Sequence, residues 1–415
     1  MKILALDSVI LFALIIPFIM GYRIGPGETP FWLFGIIFLG MLLYILLDLV
    51  KLKDHMYFLY KKIVLWFLII AVIGSAFSAS IIVRHQTSPI YSIHDIVLQQ
   101  EAAIRFFLDG KNPYATNYFG TPLEEWHYSD KEINPALYHF VMEPFYLLFA
   151  LPFYFISNHT IGYFDGRIPL LFLFFSLLVL ASLLVKEEGR KRLFLVLLAF
   201  NPSVLPYTLE GRSDLFMYPF LFLGFFLLYK RRYSWAGIPI ALAFAVKQSA
   251  WLLFPFYVAY LFFTTKSIKK TIFSLLPFIV VFGVIVVPFF LWDQNAFLDS
   301  TVRYLSGDTK HSYPISGYGL GRLLHEVGVI KDLKEHYPFV IWQAVVGLPL
   351  LVGLIYYLKK LPSISRLILV YVIFLFVYWY LSRYFNNSHL SYISLVFITA
   401  YLWPGDEEKK AEKGT

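Results

Sequence analysis

The stretch Tyr91–Tyr114, YSIHDIVLQQEAAIRFFLDGKNPY, follows a long apolar segment and precedes a polar loop. Its apolar residues recur at helical spacing from Ile93 to Leu108, with Gln99, Glu101, Arg105 and Asp109 mostly on the opposite side. Asp95 lies in the first turn, where the helix dipole favours a carboxylate, and Gly110 suits the position that ends a helix. The pattern predicts a helix lying in the membrane interface, with Asp95 where a membrane span meets an outer loop.

The composition of the whole chain is that of a membrane protein. Of its 415 residues 59% are hydrophobic and 20% are aromatic, and the mean hydropathy is +0.67. Apolar runs of roughly 18 to 25 residues recur, each long enough to cross a bilayer. We therefore predict an all-α polytopic membrane protein with one integral-membrane domain over residues 1–403 and a disordered cytoplasmic tail over 404–415. The first apolar run has no small-residue cleavage site and is interpreted as an anchor.

Cysteine and charge content exclude several classes of function. The chain has no cysteine, so disulfides, zinc thiolates, iron–sulfur clusters and cysteine nucleophiles are excluded. The net charge of +8 is concentrated in short loops, which indicates a positive-inside bias and not nucleic-acid binding.

The basic loops orient the predicted membrane spans. Loops rich in lysine and arginine are expected in the cytoplasm, so residues 84–135 and 293–336 become two large outer loops. Long loops on one face indicate where a membrane protein does its work. The pattern predicts a bundle of about 10–13 transmembrane helices. The clearest spans are 4–22, 30–50, 63–83, 168–185, 193–209, 213–229, 271–292, 337–358, 365–382 and 389–403.

Two further apolar segments do not fit this alternation as single spans. Segment 136–156 must have both ends outside, so we predict an in-plane or re-entrant helix there, aided by its prolines. Segment 235–263 has basic flanks on both sides, and we predict two short helices that meet near Lys247. The alternative is one tilted helix with a snorkelling lysine.

Candidate functional residues lie at the predicted outer face. Asp95 is the candidate reactive carboxylate, with His94 and Glu101 as groups that tune it; the alternative is that Asp95 only caps its helix. Arg212 lies in a tight turn with Glu210 and Asp214, and a guanidinium there suits a phosphate or a carboxylate. Asp214 alternatively belongs to the cap of the next helix.

Lys247 and the late outer loop supply further candidates. A lysine in an apolar segment serves either phosphate binding or pairing with an acidic residue. Glu143 either bonds to a neighbour or faces a cavity. In the loop 301–324, basic groups beside tyrosines suit a sugar phosphate, and an ordinary aromatic belt is the alternative. The candidate binding residues of this loop are Arg303, Lys310, His311, Tyr313 and Tyr318. No strong metal cluster is evident and no cofactor is assigned; a divalent ion stays an open alternative.

In their order these motifs resemble the GT-C superfamily of glycosyltransferases that use polyprenyl-phosphate sugars. The resemblance covers roughly residues 63–324 and is nearest to the mannosyltransferase branches, including the glycosylphosphatidylinositol mannosyltransferase I type. It rests on the acidic Asp95 after a span, 102–108 followed by Gly110–Tyr114, Met142–Phe145, Gly211–Leu215, the intramembrane Lys247, and Ser316–Leu320.

The resemblance implies a GT-C-like helical bundle and a reaction on the extracytoplasmic side. A hexose, with mannose expected, would pass from a polyprenyl-phosphate donor to a lipid, glycan or protein acceptor. Asp95 matches the catalytic acidic position and would act as general base. Arg212, Lys247, Arg303 and Lys310 would hold the leaving phosphate. Membrane lipids are the other expected partners, and nucleic acid is not expected.

A transporter or flippase for a lipid-linked sugar is the alternative function. Such a protein would share the basic groove but would not need Asp95 as a base. Many transporters carry an inverted internal repeat, and none is clear here, since the two large outer loops differ in length and composition.

Overall fold

The structure, a computed structural model, describes residues 4–21, 31–127 and 133–405. The described chain is helical apart from one parallel pair of two-residue strands, β1 (Ser316–Gly317) and β2 (Tyr384–Phe385). The all-α prediction is therefore confirmed. The predicted tail lies outside the described residues beyond Gly405.

The described residues form twenty α-helices. In chain order they are α1 (Leu6–Gly21), α2 (Phe31–Leu49), α3 (Asp54–Ile69), α4 (Ser75–Thr87), α5 (Asp95–Leu108), α6 (Phe145–Leu148), α7 (Leu151–Thr160), α8 (Arg167–Leu184), α9 (Glu188–Ala199), α10 (Leu205–Leu209), α11 (Asp214–Tyr229), α12 (Tyr233–Phe244), α13 (Phe254–Thr265), α14 (Ile268–Trp292), α15 (Gln294–Leu298), α16 (Tyr304–Ser306), α17 (Leu320–Glu326), α18 (Phe339–Lys360), α19 (Ile364–Tyr380) and α20 (Asn387–Leu402).

Tighter and wider helical turns join some of these helices. The turns of 3₁₀ type are Pro122–Glu125, Pro135–Leu137 and Gln248–Leu253, and those of π type are Ile70–Gly74 and Asp299–Arg303. The first π turn links α3 to α4, so that Asp54–Thr87 is one continuous apolar helix of 34 residues.

Five helices in the described ranges are long and apolar enough to cross a membrane. They are Phe31–Leu49, Asp54–Thr87, Arg167–Leu184, Ile268–Trp292 and Phe339–Lys360. Shorter apolar helices accompany them at Leu6–Pro17, Asp214–Tyr229, Tyr233–Phe244 and Ile364–Tyr380. Long apolar helices support a membrane protein, and the number of 10–13 crossings stays a prediction.

Helix α5 has the predicted bounds but different surroundings. It begins at Asp95 and is followed by Gly110 with φ +72°, as predicted. Its predicted polar face, however, is partly enclosed by protein: Gln99 and Glu101 are buried together with the apolar residues, whereas Arg105 and Asp109 are exposed. The Gln99 amide donates to the carbonyls of Ala136 and His139 at 2.7 and 2.5 Å. A helix packed on both faces needs internal partners for its polar side chains, and these partners come from distant segments.

Two predicted helices are interrupted. Segment 193–209 was predicted as one span, and this is wrong: α9 ends at Ala199 and the short α10 begins at Leu205. The prolines in NPSVLP (201–206) remove backbone donors and disfavour a helix before them. Segment 136–156 is likewise broken into the 3₁₀ turn at 135–137, α6 and the start of α7, so the predicted single helix does not form.

The break predicted near Lys247 is confirmed. Helix α12 ends at Phe244, a 3₁₀ turn follows, and α13 begins at Phe254. The ring of Phe278 in α14 packs on Phe244, Phe254 and Tyr257, at centroid distances of 5.0, 5.6 and 6.2 Å. One ring of α14 thus contacts both helices beside the break, which shows that the chain doubles back there.

Two buried ionic clusters bind helix ends together. In the first, Lys61 lies 2.8 Å from Asp48 and Arg192 lies 2.9 Å from Asp7, which joins α1, α2, α3 and α9. The second lies by α5 and is described below. Each cluster is electrically balanced, as buried charges require. The first cluster gathers helix ends that the basic-loop pattern predicts on one side of the membrane.

Candidate active site

Asp95 is held by contacts on both carboxylate oxygens. Its Oδ1 lies 2.7 Å from Nδ1 of His94, and its Oδ2 accepts a hydrogen bond of 3.2 Å from the amide of Asn134. Burial raises the pKa of this carboxyl, but the His94 imidazole, the Asn134 amide and the charge of Arg212 outweigh burial, so that the pKa lies below its usual value. The carboxylate is therefore ionised at neutral pH, and lone pairs remain on its oxygens to accept a further proton.

His94 is fixed by the same contact. Its Nδ1 also lies 3.3 Å from the backbone N–H of Ile96. A proton on Nδ1 serves the shorter contact, because two bare acceptors 2.7 Å apart would repel each other. The ring packs against Trp126 at a centroid distance of 5.8 Å. His94, predicted to tune Asp95, therefore contacts it directly.

A glycine turn brings the Arg212 segment against α5. The backbone N–H of His94 donates to the carbonyl of Glu210 at 2.8 Å. Gly211 has φ +89°, and a Cβ atom there would lie 2.3 Å from Cγ2 of Val97. Only glycine fits such a close approach in this conformation. This turn positions Arg212 beside the start of α5.

The predicted cations Arg212 and Lys247 each have an acidic partner. Nε of Arg212 lies 3.3 Å from Glu210 Oε2, and Nζ of Lys247 lies 2.8 Å from Asp214 Oδ1. Both cations keep part of their side chains accessible, at 28% and 20%. They can therefore contact an anion without first breaking these pairs, because a cationic side chain has several N–H donors.

These groups line one cavity. It measures about 170 Å³, several times the roughly 10–15 Å³ that one buried water needs by the same measure. Aromatic walls beside convergent polar groups are typical of ligand sites. Its polar and aromatic lining is His94, Asp95, Gln99, Trp126, Arg212, Ser213, Asp214, Lys247, Gln248, Tyr304, Tyr313, Tyr384, Asn386, Ser388 and His389.

Several predicted residues of the late loop do not line this cavity. Arg303 is exposed and pairs with Asp299 at 2.7 Å. Lys310 is exposed, and the ring of His311 stacks on Tyr138 with centroids 3.7 Å apart. Tyr318 is 65% exposed beside a separate surface cleft. Five residues of this loop were predicted to bind substrate. Among the described residues that line the cavity, Tyr313 is the only one of these five.

Glu101 and Glu143 lie behind the cavity. Glu101 receives a bidentate pair from Arg84, at 2.8 Å for each oxygen, and does not contact Asp95. Glu143 is fully buried and accepts a hydrogen bond of 3.0 Å from the amide of Gln248, which does line the cavity. Burial raises the pKa of Glu143 to about 8, so it is a neutral carboxylic acid at neutral pH.

Sequence reasoning missed several residues of the site. Asn134 is an amide that contacts Asp95 and Gln248 is an amide in the 3₁₀ turn after Lys247, and their roles arise only from the neighbours that the fold supplies. The run Asn386–His389 had a signal that was available: an asparagine followed three residues later by a side chain that reaches back is a helix-start pattern. The structure shows that capping box at the start of α20.

The cavity contains an ionised carboxylate and two partly accessible cations. Such a site can accept a proton at the carboxylate and stabilise an anion at the cations. Among the described residues there is no group of three or more histidine or acidic side chains arranged to hold a metal ion.

Comparison with known proteins gives no assignment. No family model, no curated protein and no solved structure matches this chain.

Proposed function

We propose that this protein is a membrane glycosyltransferase of the GT-C type. It moves a hexose, expected to be mannose, from a polyprenyl-phosphate donor to a hydroxyl of a lipid, glycan or protein acceptor on the extracytoplasmic side. The observation that carries the proposal is the single cavity lined by the ionised Asp95 and by the partly accessible cations Arg212 and Lys247.

In the proposed reaction Asp95 is the general base. The acceptor oxygen forms a bond to the anomeric carbon as its proton passes to a carboxylate oxygen of Asp95. The bond from the anomeric carbon to the phosphate oxygen breaks, and the polyprenyl phosphate leaves with an added negative charge. Arg212 and Lys247 stabilise that charge. His94 and Asn134 hold the carboxylate in one orientation.

Long apolar helices support a substrate that is itself a membrane lipid. The described chain has several of them, and a polyprenyl donor delivers its sugar phosphate at the membrane surface. A water-soluble donor would need no such setting. The orientation predicted from the basic loops assigns the cavity to the outer face.

The test is sugar transfer by Asp95→Asn in purified protein. We expect labelled sugar transfer from a polyprenyl-phosphate donor to fall by 10²-fold or more, the usual size of a lost general base, roughly 10²–10⁴. Asp109→Asn is the matched control, because Asp109 is an exposed carboxylate at the other end of the same helix. Its transfer rate should stay at the wild-type level.

Unchanged transfer by Asp95→Asn would remove Asp95 as the base. A lipid flippase would give a different result. In reconstituted vesicles it would keep moving the lipid-linked sugar between leaflets in the Asp95→Asn variant, and no labelled product would form with the wild type.

A further inference from the structure

The N-terminus of α20 faces the same cavity and carries an unusual histidine. Asn386 caps the helix, and His389 lies in the first turn. The backbone N–H of Asn386 donates to Nδ1 of His389 at 2.9 Å. A backbone N–H is always a donor, so Nδ1 must be the bare acceptor, and the proton of the neutral ring is on Nε2.

That Nε2–H group is open to the cavity. His389 is only 7% exposed, and it lines the cavity. Nε2 has no hydrogen-bond partner among the described residues. It is also not among the fully buried side-chain N and O atoms that lack a partner. The side chain is thus held in one tautomer on the wall of the cavity, with its ring 4.4 Å from that of Trp379, and its Nε2–H has no acceptor among the described residues.

The surroundings of His389 favour an anion. The first backbone N–H groups of a helix lack internal partners, and the helix dipole adds positive potential there. In α20 the N–H groups of Asn387 and Ser388 have no backbone acceptor within the described ranges. Lys247 and Arg212 line the same cavity, and each has an acidic partner, Asp214 for Lys247 and Glu210 for Arg212.

We propose that the N-terminus of α20, with Nε2–H of His389, binds the phosphate of the lipid-linked substrate, which is a diester in the sugar donor and a monoester in the polyprenyl phosphate that leaves. This proposal rests on the proposed function, since it assigns the phosphate of the donor to one end of the cavity. His389 donates to a phosphate oxygen, Ser388 adds its N–H, and Lys247 supplies charge. Asp95 reaches the same cavity from a different helix, α5, and the sugar would lie between the base and the phosphate.

Two variants of His389 separate its roles. Glutamine and glutamate are both usual at this position of a capping box, because each can accept from the capping N–H. His389→Gln keeps that acceptor and also keeps an N–H donor. His389→Glu keeps the acceptor but places a carboxylate where the donor was. His159→Glu, at an exposed histidine outside the cavity, controls for the added charge.

The measurement is the Kd of radiolabelled polyprenyl monophosphate for protein in nanodiscs, which needs no sugar transfer. We expect His389→Glu to weaken binding about tenfold or more, the size of a lost hydrogen bond to a charged group. His389→Gln should stay within about threefold of wild type, as its retained donor allows, and His159→Glu should be unchanged. Equal Kd values for wild type and His389→Glu would overturn the proposal even if Asp95→Asn abolishes transfer.

Two further probes identify the ligand chemistry. Unphosphorylated polyprenol should not compete, and competition as strong as that of the monophosphate would overturn the phosphate assignment. Inorganic phosphate should compete only at much higher concentration, because it lacks the lipid tail. If inorganic phosphate competed as strongly as polyprenyl monophosphate, the proposal that the phosphate belongs to a lipid would be overturned.

A measurement on the wild type covers the case in which His389→Glu does not fold. The ¹⁵N resonance of Nε2, identified by its absence in His389→Gln, should move when polyprenyl monophosphate is added. No movement at saturating lipid would contradict a bond from Nε2–H to the phosphate.

Discussion

Glu143 is fully buried, so its carboxyl group has no contact with solvent. Its Oε1 accepts from Gln248, while its Oε2 is buried without a hydrogen-bond partner among the described residues. An ionised carboxylate in that position would be strongly disfavoured. Burial accordingly raises its pKa to about 8, and the neutral acid supports the wall of the cavity through Gln248.

This raised pKa predicts a pH-dependent stability. In the unfolded chain a glutamate loses its proton near pH 4.3, roughly, whereas the folded protein keeps it until pH rises through about 8. Stability from this group is complete below the unfolded pKa and is lost as pH rises, by up to about 1.4 kcal/mol per pH unit. Thermal unfolding of wild type and Glu143→Gln between pH 5 and about 8.5 measures it.

Glutamine cannot ionise, so Glu143→Gln should lack this slope. Its melting temperature relative to wild type should rise steadily with pH. Parallel curves for the two proteins would show that Glu143 is already ionised in the folded state.

Some site residues could be found from the sequence because they are charged residues beside or within apolar segments. Asp95, Arg212 and Lys247 are charges at the ends or breaks of apolar segments, and all three line the cavity. Asn134 and His389 do not stand out by charge in this way, and His389 could be found only through the helix-start pattern of Asn386–His389. Their roles depend on contacts between segments far apart in the chain, and neither residue type is unusual in a loop or at a helix start.

At the scale of elements, the turn at Gly211 determines how α5 meets the Arg212 segment. In Gly211→Ala the alanine would have to adopt the left-handed backbone conformation of Gly211, and its Cβ atom would lie 2.3 Å from Val97. We expect it to lower stability by about 2–4 kcal/mol and to reduce sugar transfer, because Arg212 would move. Thermal unfolding and the labelled-sugar assay measure the two effects.

Gly110→Ala is the matched control for this substitution. Gly110 also has a positive φ, +72°, but a Cβ atom there would meet nothing within 4 Å. It should lower stability by only about 1–2 kcal/mol and leave transfer unchanged. Equal effects of the two alanines would mean that conformational strain matters and the contact with Val97 does not.

Whether a break in a helix could be predicted depended on the kind of residue that causes it. The break at Lys247 was predictable, since a charge in an apolar segment and basic loops at both ends argued against one span. The break in 193–209 was missed because mean hydropathy ignores prolines that fall within an apolar run. The polar face of α5 was expected at the membrane interface, and hydropathy does not report that other segments enclose Gln99 and Glu101.

At the scale of the whole molecule, one buried ionic cluster joins the long helix that ends at α4 with α5 and α8. Arg84 binds Glu101 through both nitrogens and Asp165 through one, all at 2.8 Å. Arg167 binds the same Asp165 at 2.7 and 2.9 Å. Two cations and two anions thus share the interior, and this cluster attaches the helix that carries Asp95 to two apolar helices.

Arg84→Met tests whether this cluster sets the position of α5. Methionine fills much of the space but leaves Glu101 without its charged partner, and removing one partner of a buried pair costs about 3–5 kcal/mol. We expect a large loss of thermal stability and of sugar transfer. Adding Glu101→Gln removes the unpaired charge and should recover part of the stability, since a balanced cluster of Arg167 and Asp165 remains. If the double variant is no more stable than Arg84→Met, the packing of the arginine matters more than its charge, and the cluster does not hold α5 electrostatically.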